Sequence, residues 1–87
     1  MSVATLIEAG RRRGVVNERG MLVLCDARES GGVIIELYPV LEDWRPGNAW
    51  GSVVRDGCGR AYSVTASSDG EAVTKALNGY LDLLNRE

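Results

Sequence analysis

The chain has no histidine, only two cysteines and a single lysine, Lys75, among its 87 residues. Without an imidazole, no side chain has an ordinary pKa near neutrality. That removes the usual general base, the usual activator of a nucleophilic serine or cysteine, and the commonest metal ligand. Cys25 and Cys58 lie 33 positions apart, which is not the close pairing of a zinc site. No apolar run approaches the length of a membrane span, so no membrane partner is expected. The opening residues Met1 to Thr5 lack the basic and apolar regions of a secretion signal. A reducing cytoplasm with two free thiols is therefore the expectation. Excess charge of one sign is missing too. A net charge of −2 is too small for a DNA mimic or for a strongly basic nucleic-acid binder.

What is present is ordinary for a globular protein: 45% apolar and 25% charged residues. Eighty-seven residues hold one hydrophobic core, so residues 1–87 are expected to form a single domain. The core must be thin, and a partner or a second copy would add stability.

Residues 3–13 read as a helix. Ser2 caps it, Val3, Leu6, Ile7 and Gly10 share a face, Arg11 to Arg13 complement its dipole, and Gly14 ends it. Residues 20–28 read as a strand, with Met21, Val23, Cys25 and Ala27 on one face and Leu22, Leu24 and Asp26 on the other. The turn Ser30-Gly31-Gly32 leads into a returning strand, Val33 to Tyr38, stopped by Pro39. Residues 41–49 read as a loop. A second hairpin follows, with strands at about 50–55 and 60–66 joined by Asp56-Gly57-Cys58-Gly59. Residues 69–86 carry the strongest helical pattern. Ser68 and Glu71 form a capping box, and Val73, Ala76, Leu77, Tyr80, Leu81 and Leu84 make an apolar stripe. Gly79 would let this helix approach the sheet closely.

The order α-β-β-β-β-α predicts an α+β fold: a two-layer sandwich of a four-stranded antiparallel sheet with the N- and C-terminal helices on one face. The uncovered face is expected to show Leu22, Leu24, Ile34 and Tyr38, and an open apolar face of that kind predicts a homodimer through it.

Four groups of residues invite a functional reading, each beside a plainer one. Arg11, Arg12 and Arg13 suit an acidic patch or a phosphate; equally, they are a solvated helix end. Tyr38, Trp44, Arg45 and Trp50 are of the types that dominate interface hot spots, although one tryptophan could simply close the core. Cys58 sits between glycines in a turn, but no base is present to activate it, and hairpin geometry explains the glycines. Glu36, Glu42 and Asp43 suit a cation or a polar rim, with no further ligands beside them. No phosphate loop, dinucleotide fingerprint or nucleophile elbow occurs. The site expectation is therefore partner binding by Trp44, Arg45, Trp50, Tyr38, Arg11, Arg12 and Arg13, with no catalytic residue, cofactor or metal.

The α-β-β-β-α part of this order resembles the double-stranded RNA-binding domain. That family carries basic residues at the start of its last helix, where this chain has Ser67-Ser68-Asp69-Gly70-Glu71. No direct sequence-specific binding of nucleic acid is therefore expected. Trp50-Gly51, Gly59, Tyr62, Ala66, Glu71-Ala72, Ala76-Leu77 and Leu81 resemble the strand–strand–helix pattern of small phage-encoded α/β sandwich proteins and of HicB-type antitoxins. The whole-chain profile is similar to that of anti-CRISPR proteins and other phage inhibitors of host defence. That resemblance implies a non-enzymatic cytoplasmic module that docks on a larger protein or ribonucleoprotein complex and blocks it; the alternative it leaves is a HicB-like antitoxin or a homodimeric accessory protein.

Overall fold

The computed structural model describes residues 2–28, 30–41 and 48–86. Its elements run α1 (Val3–Arg13), β1 (Leu22–Cys25), β2 (Val33–Pro39), β3 (Trp50–Asp56), β4 (Ala61–Ala66) and α2 (Asp69–Asn85). The strands form one antiparallel sheet in the order β1-β2-β3-β4. Both helices pack on the same face, giving the expected α+β sandwich.

Local chemistry sets the helix limits. Ser2 Oγ accepts the Thr5 N–H, and Gly14, in the left-handed region at φ 60°, returns its N–H to the Gly10 carbonyl. At the start of α2, Ser68 Oγ accepts the Glu71 N–H at 3.2 Å. The Glu71 carboxylate, however, takes the Ser67 hydroxyl at 2.7 Å instead of completing the box on the Ser68 backbone. That hydrogen bond, with Lys75 one turn on, holds its carboxyl below the ordinary range.

The core is one-sided. Leu24, Ile35, Leu37 and Val54 from the sheet meet Ile7 of α1 and Ala72, Val73, Ala76 and Tyr80 of α2. Small residues let the helices come close. A Cβ on Gly79 would run into the Tyr62 ring, and one on Gly10 would lie 2.8 Å from the Leu24 Cα.

Two expectations are corrected. Leu22 and Leu24 do not lie on the uncovered face: Leu22 pairs with Leu37 and packs against the core, and Leu24 is 1% exposed inside it. The ladder between β1 and β2 slips between Val23 and Cys25, and the other edge of β1 is held by Val15 and Val16. Together these fix which leucines turn inward. Ile34 and Tyr38 stay on the uncovered face, half-buried. The open face expected to carry a homodimer therefore loses Leu22 and Leu24, two of its four residues. Leu81, placed in the apolar stripe, is 52% exposed. It lies about 140° around the helix from Ala76, beyond the arc that one sheet can cover.

Gly10 gives a direct test of the close seating of α1. Gly10→Ala should destabilise the fold by about 1–2 kcal/mol in urea unfolding, because the clash with the Leu24 backbone outweighs the gain in helix propensity. A stabilised variant would contradict this packing.

Candidate functional site

The sheet register decides which of the candidate side chains can act together. Pro39 pairs with Trp50, and Tyr38 with Gly51, so Tyr38 and Trp50 point to opposite faces. Trp50 is half-buried against the core and closes its end. Tyr38 lies on the uncovered face with its ring laid over Gly51, where any Cβ would collide with it. Beyond Tyr38, Pro39, Val40 and Leu41 complete the lining of a cleft of about 310 Å³. Leu41 is 80% exposed. Trp44 and Arg45, the central pair of the sequence reading, lie outside the described residues, as do Glu42 and Asp43.

The three arginines at the end of α1 diverge. Arg11 Nη2 lies 2.6 Å from Asp69 Oδ2 and ties the end of α1 to the first turn of α2. Arg13 turns inward; its Nη2 donates to the Leu24 carbonyl and, at 3.2 Å, to that of Val23. Arg12 stays mostly in solvent, 3.9 Å from Glu8 one turn back. The run thus offers a partner one loosely paired, exposed guanidinium and two that already fasten the helix.

Glu36 is the feature whose role the sequence hid. It sits at the middle of β2 on the face that no helix covers, yet it is 1% exposed. Asn17 Nδ2 donates to its Oε2, and Arg55 Nη2 lies 2.6 Å from its Oε1. That Oε1 has the ion pair but no well-aligned hydrogen bond. A charged residue inside the run Val33-Ile34-Ile35-Glu36-Leu37 was the available signal. Asn17 is brought to it by the segment that borders β1, in which Asn17 Oδ1 also accepts the Met21 N–H.

At the far end of the second hairpin, Asp56 collects four donors. Its Oδ1 accepts the N–H groups of Cys58 at 2.8 Å and Arg60 at 3.1 Å. Its Oδ2 accepts Arg60 Nε at 2.8 Å and the Tyr80 hydroxyl at 2.7 Å. The Tyr80 bond above all, then Arg60 and the two backbone donors, bring its pKa down to about 2 against the opposing effect of burial. The same bond to Asp56 pushes Tyr80 above its ordinary value. Asp56 therefore serves as a turn cap and a fastener for α2. Beside it runs a groove of about 520 Å³ whose lining includes Cys58, Gly31, Ile34 and Arg55. Cys58 is exposed and Cys25 half-buried, and both are free thiols. Among the described residues no group of three or more acidic or cysteine side chains is placed to hold a metal ion. Nor is any helix among them long and apolar enough to cross a membrane.

Two outcomes follow from these networks. Asp56 should titrate with a midpoint at about 2, so its stabilising bonds are complete above the ordinary carboxylate range and lost as pH falls toward that value. Carboxyl NMR on wild type and Tyr80→Phe checks this: the variant's midpoint should move up toward 3.8, and an unmoved midpoint would contradict the Tyr80 bond. Separately, Arg55→Met should cost about 3–5 kcal/mol by leaving Glu36 buried without its cation, and adding Glu36→Leu should recover most of the loss. Simple additivity of the two changes in denaturant unfolding would count against the pair. Comparison of the chain with protein-family models, with curated proteins and with solved structures finds no match.

Proposed function

We infer that this chain is a non-catalytic binding module that acts by covering part of a larger protein or ribonucleoprotein complex. The observation that carries this reading is the apolar end of the sheet. Leu41, 80% exposed, stands beside Tyr38, Pro39 and Val40 at the mouth of the segment that contains Trp44 and Arg45. Apolar surface followed in the chain, after Glu42 and Asp43, by a tryptophan and an arginine is the composition of an interface hot spot with a polar surround. The well-bonded polar residues support the same reading: Asp56, Glu36, Arg11 and Arg13 are already engaged in holding the fold.

A small domain of this kind suits an inhibitor. In the manner of anti-CRISPR proteins and other phage inhibitors of host defence, it would occlude a working surface of a host complex, in the cytoplasm, with no cofactor. Arg12, the least engaged of the three consecutive arginines, is placed to add contact with an acidic patch.

The test is a pull-down from the native host followed by calorimetry on the captured complex. Trp44→Ala and Leu41→Asp should each weaken binding by about 2 kcal/mol or more while leaving the unfolding transition in place. Full affinity in both folded variants would remove this end of the sheet as the docking surface.

A further inference from the structure

The two edges of the sheet differ. Beyond β1, Val16 bridges to Leu22 and the Val23 N–H bonds to the Val15 carbonyl, so that edge is covered. Beyond β4 no strand pairs among the described residues. Natural sheets usually guard such an edge with lysine, proline, a bulge or an inward charge. The strand Ala61-Tyr62-Ser63-Val64-Thr65-Ala66 has no charge and no proline, and its ladder to β3 is regular throughout.

The hydrogen-bond phase of β4 is fixed from both sides. The Asp56 N–H bonds to the Arg60 carbonyl, which makes that pair a hydrogen-bonded one; alternation then places Tyr62, Val64 and Ala66 in bonds to β3. Independently, the Val40 N–H bonds to the Ala49 carbonyl, so Gly51, Val53 and Arg55 bond to β2 and leave Ser52 and Val54 to β4. Both routes leave the N–H and C=O groups of Ala61, Ser63 and Thr65 pointing outward. All three residues are exposed.

We propose that β4 is a dimerisation edge, pairing antiparallel with β4 of a second copy about a two-fold axis at Ser63 to make one continuous sheet across two chains. The register centred there is self-complementary. Ser63 opposes Ser63 of the partner subunit, and Ala61 opposes the partner's Thr65, each pair exchanging N–H···O=C bonds, about six in all. On the helix side, Tyr62 would meet the partner's Val64, an aromatic–β-branched pair, with the Tyr62 ring already positioned over Gly79. No like charges face each other in this register, and a net charge of −2 per chain adds little repulsion. The absence of any charge in this register and the cross-strand pairing of Tyr62 with Val64 favour a second copy over a foreign strand as occupant. The dimer does not depend on the docking function proposed above, because it uses the backbone of the β4 edge and not the Tyr38–Leu41 end of the sheet.

Light scattering and sedimentation over a concentration series test this on the intact chain. Wild type should approach twice the 9.4 kDa of one chain. Ser63→Lys sets two cations opposite each other and should weaken association at least tenfold. Ser63→Pro removes an N–H that only the partner would use, so it should stay folded and become monomeric. Val64→Pro removes a bond to β3 and should unfold the chain. The proposal is overturned if wild type stays at 9.4 kDa at submillimolar concentration, including the case where it captures only a foreign extended peptide. It is equally overturned if a folded Ser63→Pro or Ser63→Lys variant still dimerises.

Discussion

The structure depends on the seating of α2 against β3 and β4. Ala72, Val73 and Ala76 are fully buried, as is Val54 beneath them, and Tyr80 is nearly so. The helix sits this close because its sheet-facing side is built of small residues, with Gly79 receiving the Tyr62 ring. At the far end the Tyr80 hydroxyl fastens to Asp56, so the carboxylate that caps the β3–β4 turn also fixes the helix. Packing and hydrogen bonding thus set the same helix position. α1 then needs only to cover β1, which it does through Ile7 and Gly10, with Arg13 bonded to the β1 carbonyls.

A core on one side leaves the other side of the sheet to polar chemistry. Its centre is Glu36 with Arg55 and Asn17, an arrangement that buries a charge but gives it specific partners. Such a pair contributes little net stability compared with an apolar core, but it penalises any register in which Glu36 lacks a cation. Around that centre the face grades outward, to Tyr38 and Leu41 at one end and the short side chains of β4 at the exposed edge. The surfaces suited to partners lie at these margins, and the centre holds the sheet in register.

Much of the fold was legible because its signals are local. Ser2, Gly14 and Ser68 mark helix ends by their own hydrogen bonds, and the two glycine-containing turns separate strands of clear β character. The inward face of β1 was not legible. Met21 to Cys25 is apolar at every position, so alternation carries no phase, and the phase comes from a ladder slip and from pairing with residues 15 and 16. Tyr38 and Trp50 looked like one aromatic group because they flank one loop; only the register, with Pro39 opposite Trp50, separates them. The run Arg11-Arg12-Arg13 was read as one basic cluster. Consecutive helical positions point about 100° apart, and the structure gives each arginine a different neighbour. The Asp56–Tyr80 bond joins residues 24 positions apart, and nothing in the turn sequence indicates which helix residue will reach it.

With α2 seated on β3, these two elements should be the last structure to open. Native-state amide hydrogen exchange measures this residue by residue. The slowest amides should lie at Val53, Val54 and positions 73–80, all exchanging only through global unfolding, with α1 opening at lower free energy. Exchange of the α2 amides well below the global unfolding free energy, while the sheet stays protected, would contradict this order of opening.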